Sequence, residues 1–190
     1  HNFCTFVAFN LKNKYFKDMK VKALFLAVVA IFALSTTAEA QSLPRRVRNM
    51  EVQDLDGNKA RLPWWGEKNL LIFYVDPEVP KQNHEFVSWI EENKRLAGPN
   101  IEGFGIVNLK DAAYPNSLVR KIADARTAKN GATIVCDPDH WVSSAWRLGD
   151  CNNMFCILLV SKEGELVYVS KGEMSKEEQQ RFLEIADKYL

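Results

Sequence analysis

NLLIFYVDPEVPK, from Asn69 to Lys81, is the most informative stretch for the fold. A strand pattern ends within it, and a helical pattern follows. NLLIFYV (Asn69 to Val75) is a continuous apolar run of strand length, which predicts a strand covered on both faces. From Lys81 to Ala97 the spacing predicts a helix, with Gly98-Pro99 as its stop. The apolar residues of that helix recur near helical spacing and are Phe86, Trp89, Ile90 and Leu96.

Two further units of a strand followed by a helix lie downstream. IEGFGIVNL (Ile101 to Leu109) predicts a strand, and a helix from about Ser117 to Lys129 ends at Asn130-Gly131. We expect the buried stripe of that helix to consist of Leu118, Val119, Ile122 and Ala123. The third unit is a short strand, Thr133 to Cys136, and a short helix, Trp141 to Leu148.

A predicted hairpin lies on each side of this series. In residues 47–63, Asp56-Gly57-Asn58 supplies the positive-φ residues of a tight turn. Phe155 to Ser161 and Leu166 to Ser170 predict the second hairpin, and a capping box, Ser175 with Glu178, begins a closing helix. We therefore predict an α/β fold: a mixed sheet with helices on both faces and an N-terminal β-hairpin.

The first 40 residues are expected to lie outside this domain. A positive segment, Met19 to Lys22, precedes an apolar run, Ala23 to Leu34, and the small residues of Ala38-Glu39-Ala40 follow. This order is typical of a secretion signal cleaved after Ala40, and the run spans only about 18 Å of helix, too short for a membrane. Residues 1–18 are interpreted as an upstream extension.

Residues 41–190 are then a single domain without a membrane span, and 41–47 are predicted to be a mobile terminus. The whole chain is 47% hydrophobic and 26% charged, which excludes collagen and disordered chains. Its net charge of +1 gives no broad positive field, so nucleic acid is not an expected partner.

The element order and the local sequence resemble the thioredoxin superfamily, in the secreted branch with an N-terminal hairpin. VQDLDGNKAR (Val52 to Arg61) with NLLIFYV resembles the hairpin and first central strand of that branch, and FCILLVSKEGELVYVSKG resembles its final hairpin. GIVNLKDA (Gly105 to Ala112), CDPDHWVSSAWRL (Cys136 to Leu148) and SKEEQQRFLEIADKYL resemble the YtfJ family of exported thioredoxin-like bacterial proteins. The resemblance implies a periplasmic protein.

The chain departs from redox-active thioredoxins where the first central strand meets its helix. Those proteins carry Cys-x-x-Cys in the first helical turn, where free N–H groups stabilise a thiolate. Here the two positions hold Glu78 and Lys81, and Asn153-Met154-Phe155 replaces their cis-proline region. We interpret Asp76-Pro77-Glu78 as a helix start, and a catalytic acid or base role for Glu78 is the alternative.

Cys136, Cys151 and Cys156 are the cysteines that remain after signal cleavage. A bend through Asn152-Asn153 would bring Cys151 and Cys156 within the roughly 4.4 to 6.8 Å Cα separation of a disulfide, whereas a straight segment would hold them about 16 Å apart. The pair is therefore a candidate disulfide, with a redox role as the alternative. Cys136 is expected to be a small buried apolar residue.

Asp137, Asp139 and His140 are interpreted as a turn and helix cap with His140 exposed, because no further ligand supports a metal site. We expect no metal and no cofactor. His84 is placed on the polar side of its helix. Trp64-Trp65, in a loop, is a candidate contact patch for a partner, and the alternative is that the two rings cap one end of the sheet.

The favoured hypothesis is an exported thioredoxin-fold protein that lacks dithiol chemistry and binds or supports another envelope protein. The competing hypothesis is an enzyme, either a thiol oxidoreductase or a peroxide-handling protein, that uses Cys136, Cys151 or Cys156 at a relocated site. Cysteine-dependent reduction of insulin would favour the enzyme.

Overall fold

The computed structural model describes residues 42–190, and the predicted upstream extension and signal peptide lie outside that range. The eight strands are β1 Arg45–Arg46, β2 Glu51–Gln53, β3 Lys59–Arg61, β4 Asn69–Val75, β5 Ile101–Asn108, β6 Ile134–Asp137, β7 Phe155–Val160 and β8 Glu165–Lys171. The helices are α1 His84–Glu92, α2 Asn116–Asn130, α3 Trp141–Ala145 and α4 Lys176–Ala186, followed by a short 3-10 turn.

All eight strands join one mixed sheet in the order β1-β8-β7-β4-β5-β6-β2-β3. β4, β5 and β6 are parallel to one another, and the N-terminal hairpin β2–β3 and the C-terminal hairpin β7–β8 are antiparallel. The predicted α/β mixed sheet with an N-terminal hairpin is confirmed. The turn chemistry also agrees: Gly57 has φ 92°, and the Asp54 carboxylate accepts the Asn58 N–H at 2.8 Å.

The sheet has an apolar layer on each face because alternate residues of its central strands point in opposite directions. Tyr74 of β4 and Cys156 and Leu158 of β7 point toward α3, and we call this side the α3 face. Leu71 and Ile157 point to the other side, where α1 and α4 pack, which we call the α1 face. Helices therefore cover both faces, as the sequence predicts.

The buried apolar residues predicted for α1 and for α2 are wrong in part. α1 ends at Glu92, well before Gly98-Pro99, and its Trp89 is 43% exposed. On α2, Val119 and Ala123 are buried, whereas Leu118 and Ile122 are 44% and 61% exposed. α2 contributes one side of the helix to a small cluster, Leu109, Val119 and Cys136, so fewer apolar positions are covered than the spacing suggests.

The prediction of a mobile terminus at 41–47 is wrong at Arg45 and Arg46, because these two residues form an edge strand. Arg45 pairs with Leu166 of β8, and its guanidinium donates to the Trp146 carbonyl at 2.9 Å. Two residues are too few to show a periodic pattern, which is why the sequence gives no strand signal there.

We expect Leu158→Ala, in the middle of β7, to lower the free energy of unfolding by about 2 to 5 kcal/mol, because Leu158 is fully buried and the change leaves a cavity. Leu118→Ala makes the same chemical change at an exposed position and is expected to shift stability by about 0.5 kcal/mol or less. Urea denaturation measures both. Equal losses in the two variants would contradict this core assignment.

Candidate functional site

The strongest concentration of buried polar groups lies where the three parallel strands end. Asp76 directly follows β4, Asn108 is the last residue of β5, and Asp137 is the last residue of β6; all three are fully buried. The carboxyl ends of parallel strands meet at one edge of a sheet, which is where ligands bind in open α/β sheets. We call this end of the sheet the carboxyl edge.

Asp76 connects two loops at the carboxyl edge. Its carboxylate accepts the Glu78 N–H at 2.9 Å and the Asn153 N–H at 2.7 Å, and its own N–H donates to the Met154 carbonyl at 3.0 Å. The loop after β4 is therefore held against the loop before β7. These are the two regions that, by the resemblance described above, carry the dithiol and the cis-proline in redox-active thioredoxins.

Glu78 does not begin a helix, so the expected helix start at Asp76-Pro77-Glu78 is wrong. Residues 76–83 form successive turns, and α1 begins only at His84. A hydrogen bond with the buried Asp76 carboxylate, helped by partial burial, raises the pKa of Glu78, while the N–H of Ala113 opposes this by donating to Glu78 Oε1 at 2.8 Å. Glu78, one of the two positions that correspond to the dithiol, thus pairs with the carboxylate of Asp76, whereas Lys81 stands at the other position.

His140 is not the exposed first-turn residue that the sequence predicts. Its Nε2 lies 2.7 Å from Asp111 Oδ2, and that same oxygen accepts a hydrogen bond from Asn108 Nδ2 at 2.6 Å. His140 takes a left-handed backbone conformation, φ 57°, which turns its side chain toward the loop after β5. The contact links the loops that follow β5 and β6.

Asp137 acts as a buried cap for α3, as the sequence predicts. Its carboxylate accepts the N–H groups of Trp141 at 2.7 Å and Val142 at 2.9 Å, and the Tyr74 hydroxyl at 3.1 Å. Burial, followed by the negative charge of Asp137, raises the pKa of Tyr74 above its ordinary range. Three donors satisfy a carboxylate that has no contact with water.

Cys151 and Cys156 lie side by side as thiols, with their Sγ atoms 3.8 Å apart. The chain bends between them through Asn152 and Asn153, and Asn153 has φ 54°. Cys151 is 3% exposed and Cys156 is fully buried. Both belong to the α3 face, so they lie on the opposite side of the sheet from α1. A disulfide between them stays a prediction.

The two thiols differ in acidity because one donates a hydrogen bond to the other. The hydrogen bond from Cys156 lowers the pKa of Cys151, the charge of Lys171 adds to this effect, and burial opposes it. The same hydrogen bond, together with burial, raises the pKa of Cys156. The Lys171 ammonium is held close by donating to the Leu148 carbonyl at 2.9 Å.

An open depression of about 370 Å³ lies next to Cys151, and residues of α3 form part of its lining. It is lined by His140, Ser143, Ser144, Arg147, Asp150 and Cys151, together with Gly149. Most of its lining residues have polar side chains, and one of them is a cysteine. The sequence gives no sign of it, because its lining comes from a helix and a loop whose relative placement depends on the packing of Trp146.

The other predicted residues lie apart from these groups. Cys136 is fully buried, as expected, and burial raises its pKa. His84 is exposed at the start of α1, and Lys81 is exposed in the turn before it. Among residues 42–190, no cluster of three or more His, Cys, Asp or Glu is placed to hold a metal ion. In the same range, no helix is long and apolar enough to cross a membrane.

Trp64 and Trp65 are both half-buried against the core. Trp64 packs on Phe104 at 6.1 Å between ring centroids, and Trp65 packs on Trp146 at 5.9 Å. Gly164, φ 80°, leaves room for the Trp65 ring, since a Cβ there would lie 3.3 Å from it. The Gly164 contact places the Trp65 ring at the β7–β8 turn, and a contact-patch role for the two rings stays a prediction.

Three residues of the carboxyl edge, Asn108, Asp111 and Tyr74, are not among the candidates from the sequence. Asn108 and Tyr74 lie within apolar strand patterns, and a polar group in such a run is the signal that marks them. Asp111 becomes important only through its contacts with Asn108 and His140, which come from different strand ends.

Comparison with known proteins supports the fold. No protein-family model and no curated protein sequence matches the chain. Among solved structures, it resembles an exposed lipoprotein thioredoxin of Streptococcus pneumoniae, with 16% identity and a TM-score of 0.52 over 73% of this chain and 99% of the other. It also resembles a thiol:disulfide interchange protein of the thioredoxin family from Chlorobium tepidum, with 13% identity and a TM-score of 0.53 over 77% and 99%.

A third similar structure is the mitochondrial 2-Cys peroxiredoxin of Plasmodium falciparum, with 13% identity and a TM-score of 0.50 over 76% of this chain and 91% of the other. At such identities the likeness establishes the fold alone. The chain therefore has a thioredoxin-like fold, and its chemistry must be argued from its own residues.

The raised pKa of Glu78 predicts a pH dependence of stability. Folding favours the protonated carboxyl, so its contribution is fully present below the ordinary pKa of 4.5 and is lost as pH rises through the raised value. Glu78→Gln keeps a neutral hydrogen-bonding group. We expect the unfolding free energy of the wild type to fall relative to that of Glu78→Gln as pH rises above 4.5, measured by urea denaturation.

The matched control for this experiment is Glu85→Gln, which changes an exposed carboxylate in the first turn of α1. Its stability should follow the wild type across the same pH range. A constant difference between wild type and Glu78→Gln at every pH would show that Glu78 does not titrate with a raised pKa.

Substitutions of Tyr74 and of Asp137 should lower the stability of the protein by very different amounts. Tyr74→Phe leaves Asp137 with two N–H donors, and we expect it to cost about 1 kcal/mol. Asp137→Ala leaves three buried donors without an acceptor and should cost about 3 kcal/mol or more. Thermal unfolding monitored by circular dichroism compares them. Similar losses would mean that the carboxylate is not the organising group.

Proposed function

We propose that this chain is an exported, periplasmic thioredoxin-fold protein that binds another envelope protein at its carboxyl edge and does not exchange dithiols there. One observation carries the proposal: Glu78 and Lys81 occupy the two positions where, by the resemblance, a redox thioredoxin has its sulfurs, and Glu78 pairs there with the buried Asp76 carboxylate. Neither Glu78 nor Lys81 can form a mixed disulfide. The fold supplies the surface, and the Asp76–Glu78 pair fixes its shape.

The carboxyl edge presents exposed groups around this fixed centre. Lys81 and Asn153 are exposed on the two loops that Asp76 joins, and Tyr114 is 58% exposed beside Ala113, whose N–H binds Glu78. An exposed tyrosine next to rigid loops is typical of a protein-binding surface, since the aromatic ring loses little entropy on contact. The bonds at Asp76 and Glu78 hold these loops in place before a partner arrives.

A second candidate function, a thiol oxidoreductase with a relocated dithiol, is favoured by the contact between Cys151 and Cys156. Exchange with a protein disulfide requires a thiolate to approach that disulfide directly. Cys151 is 3% exposed and Cys156 is fully buried, so a polypeptide substrate has no access to either sulfur. The burial of the pair therefore supports the binding function over protein dithiol exchange.

The first test is reduction of insulin by the purified chain. We expect the wild type and a variant with Cys136, Cys151 and Cys156 all changed to Ser to show the same background rate, with thioredoxin as the positive control. A rate that is above background in the wild type and lost in the variant would establish dithiol exchange and reject the proposal.

The second test places a photo-crosslinking amino acid at Tyr114, on the carboxyl edge, or at Lys162, in the β7–β8 turn at the opposite edge of the sheet. We expect a discrete crosslinked product in the native envelope from Tyr114 and none from Lys162. The reverse pattern would favour the neighbouring Trp64-Trp65 patch as the contact surface.

A further inference from the structure

We propose that Cys151 and Cys156 form a peroxide-sensitive dithiol, in which Cys151 reacts first through the depression beside α3 and Cys156 then closes a disulfide with it. The site lies on the α3 face and uses none of the groups assigned to binding at the carboxyl edge. Its chemistry therefore does not require the proposed function, although the bend between the two cysteines passes through Asn153 of the binding surface. The ligand class is a small hydroperoxide.

The two cysteines differ in how readily a small molecule can reach them. Cys151 lies on the wall of the depression of about 370 Å³, whereas Cys156 lies within β7, paired with Lys171 on one side and Tyr74 on the other. Among the cysteines at 42–190, Cys151 alone lines this depression, and Cys136 is fully buried elsewhere. A molecule the size of hydrogen peroxide fits such an opening, and a folded protein substrate does not.

Electrostatic interactions also favour Cys151 as the cysteine that reacts first. The hydrogen bond from the Cys156 thiol and the nearby Lys171 ammonium lower the pKa of Cys151, and the imidazole of His140 acts in the same direction. Because the thiolate is the nucleophile, the negative charge forms on the cysteine that lines the depression. Cys156 keeps its proton until the second step.

One equivalent of hydrogen peroxide is enough to oxidise the two thiols to a disulfide. The Cys151 thiolate attacks one peroxide oxygen, the O–O bond breaks, and the departing hydroxide takes the proton released by Cys151, which gives one water and a sulfenic acid. The Cys156 sulfur then attacks the Cys151 sulfur, an S–S bond forms, and the hydroxyl group leaves with the Cys156 proton as the second water. The two thiols lose two electrons, and the peroxide gains them.

The short distance makes the second step intramolecular. With Sγ atoms 3.8 Å apart, Cys156 is in contact with the sulfur that it must attack, so the sulfenic acid is intercepted before a second peroxide reacts. The surrounding apolar residues of the α3 face keep other thiols away from it.

The experiment treats the reduced mature chain, residues 41–190, with hydrogen peroxide and follows each of its three cysteines by peptide mass mapping. In the wild type we expect loss of the mass of two hydrogen atoms, with Cys151 and Cys156 linked and Cys136 unchanged. In Cys156→Ser, dimedone should trap a sulfenic acid on Cys151. In Cys151→Ser, dimedone should leave Cys156 unlabelled. Cys136→Ser serves as the matched control and should behave as the wild type.

Folding of the Cys151, Cys156 and Ser144 variants is checked by protection of Cys136 from alkylation without denaturant, and folding of Cys136→Ser is checked by circular dichroism. Ser144→Phe, at an exposed lining residue, fills the depression and should slow the loss of the Cys151 thiol relative to the wild type. The proposal is overturned if peroxide leaves both thiols reduced in the wild type, if Cys156 is labelled as fast as Cys151, or if Ser144→Phe reacts at the wild-type rate. None of these results depends on insulin reduction or on partner crosslinking.

Discussion

The buried carboxylate of Asp76 is the constraint on which the carboxyl edge depends. It accepts N–H groups from its own loop and from the loop before β7, so two segments distant in sequence share one anionic acceptor. Removing an acceptor that serves two buried donors costs more than either hydrogen bond is worth alone, because both donors lose their partner. The loop before β7 carries Cys151, so the same anchor positions the thiol on the other face of the sheet.

Each parallel strand end is organised by a polar side chain that bonds to a neighbouring loop. Asp137 holds α3 through two backbone N–H groups, and Asp111 brings Asn108 and His140 together. Together with the hydrogen bond from the Ala113 N–H to Glu78, these links connect the loops after β4, β5 and β6. The connected loops form the surface that we propose for recognition of a partner.

Local patterns predict most of the fold, and tertiary contacts account for what they miss. NLLIFYV corresponds to β4 residue for residue, and the Ser175–Glu178 capping box is present at the start of α4. α1 begins later than its spacing indicates because the chain forms turns before His84, where the Asp76 carboxylate accepts the N–H groups of Glu78 and Asn153.

The candidate site is likewise predicted in part by local sequence patterns and depends in part on tertiary contacts. Glu78 and Lys81 could be singled out from the sequence because an expected sulfur is missing there, and the bend between Cys151 and Cys156 follows from Asn152-Asn153. The depression beside Cys151 and the contact of His140 with Asp111 could not be predicted, because both depend on a left-handed residue and on packing between strands that are far apart in sequence.

The pairing of β1 with β8 has a consequence for the order of assembly. Arg45 can find its partner Leu166 only when nearly the whole domain has been synthesised, however early it emerges. Until then the outer side of the C-terminal hairpin remains open to any other extended segment. A chain that ends before β8 would leave β1 without a strand to pair with. We therefore expect the β1–β8 pairing to be among the last contacts of the sheet to form.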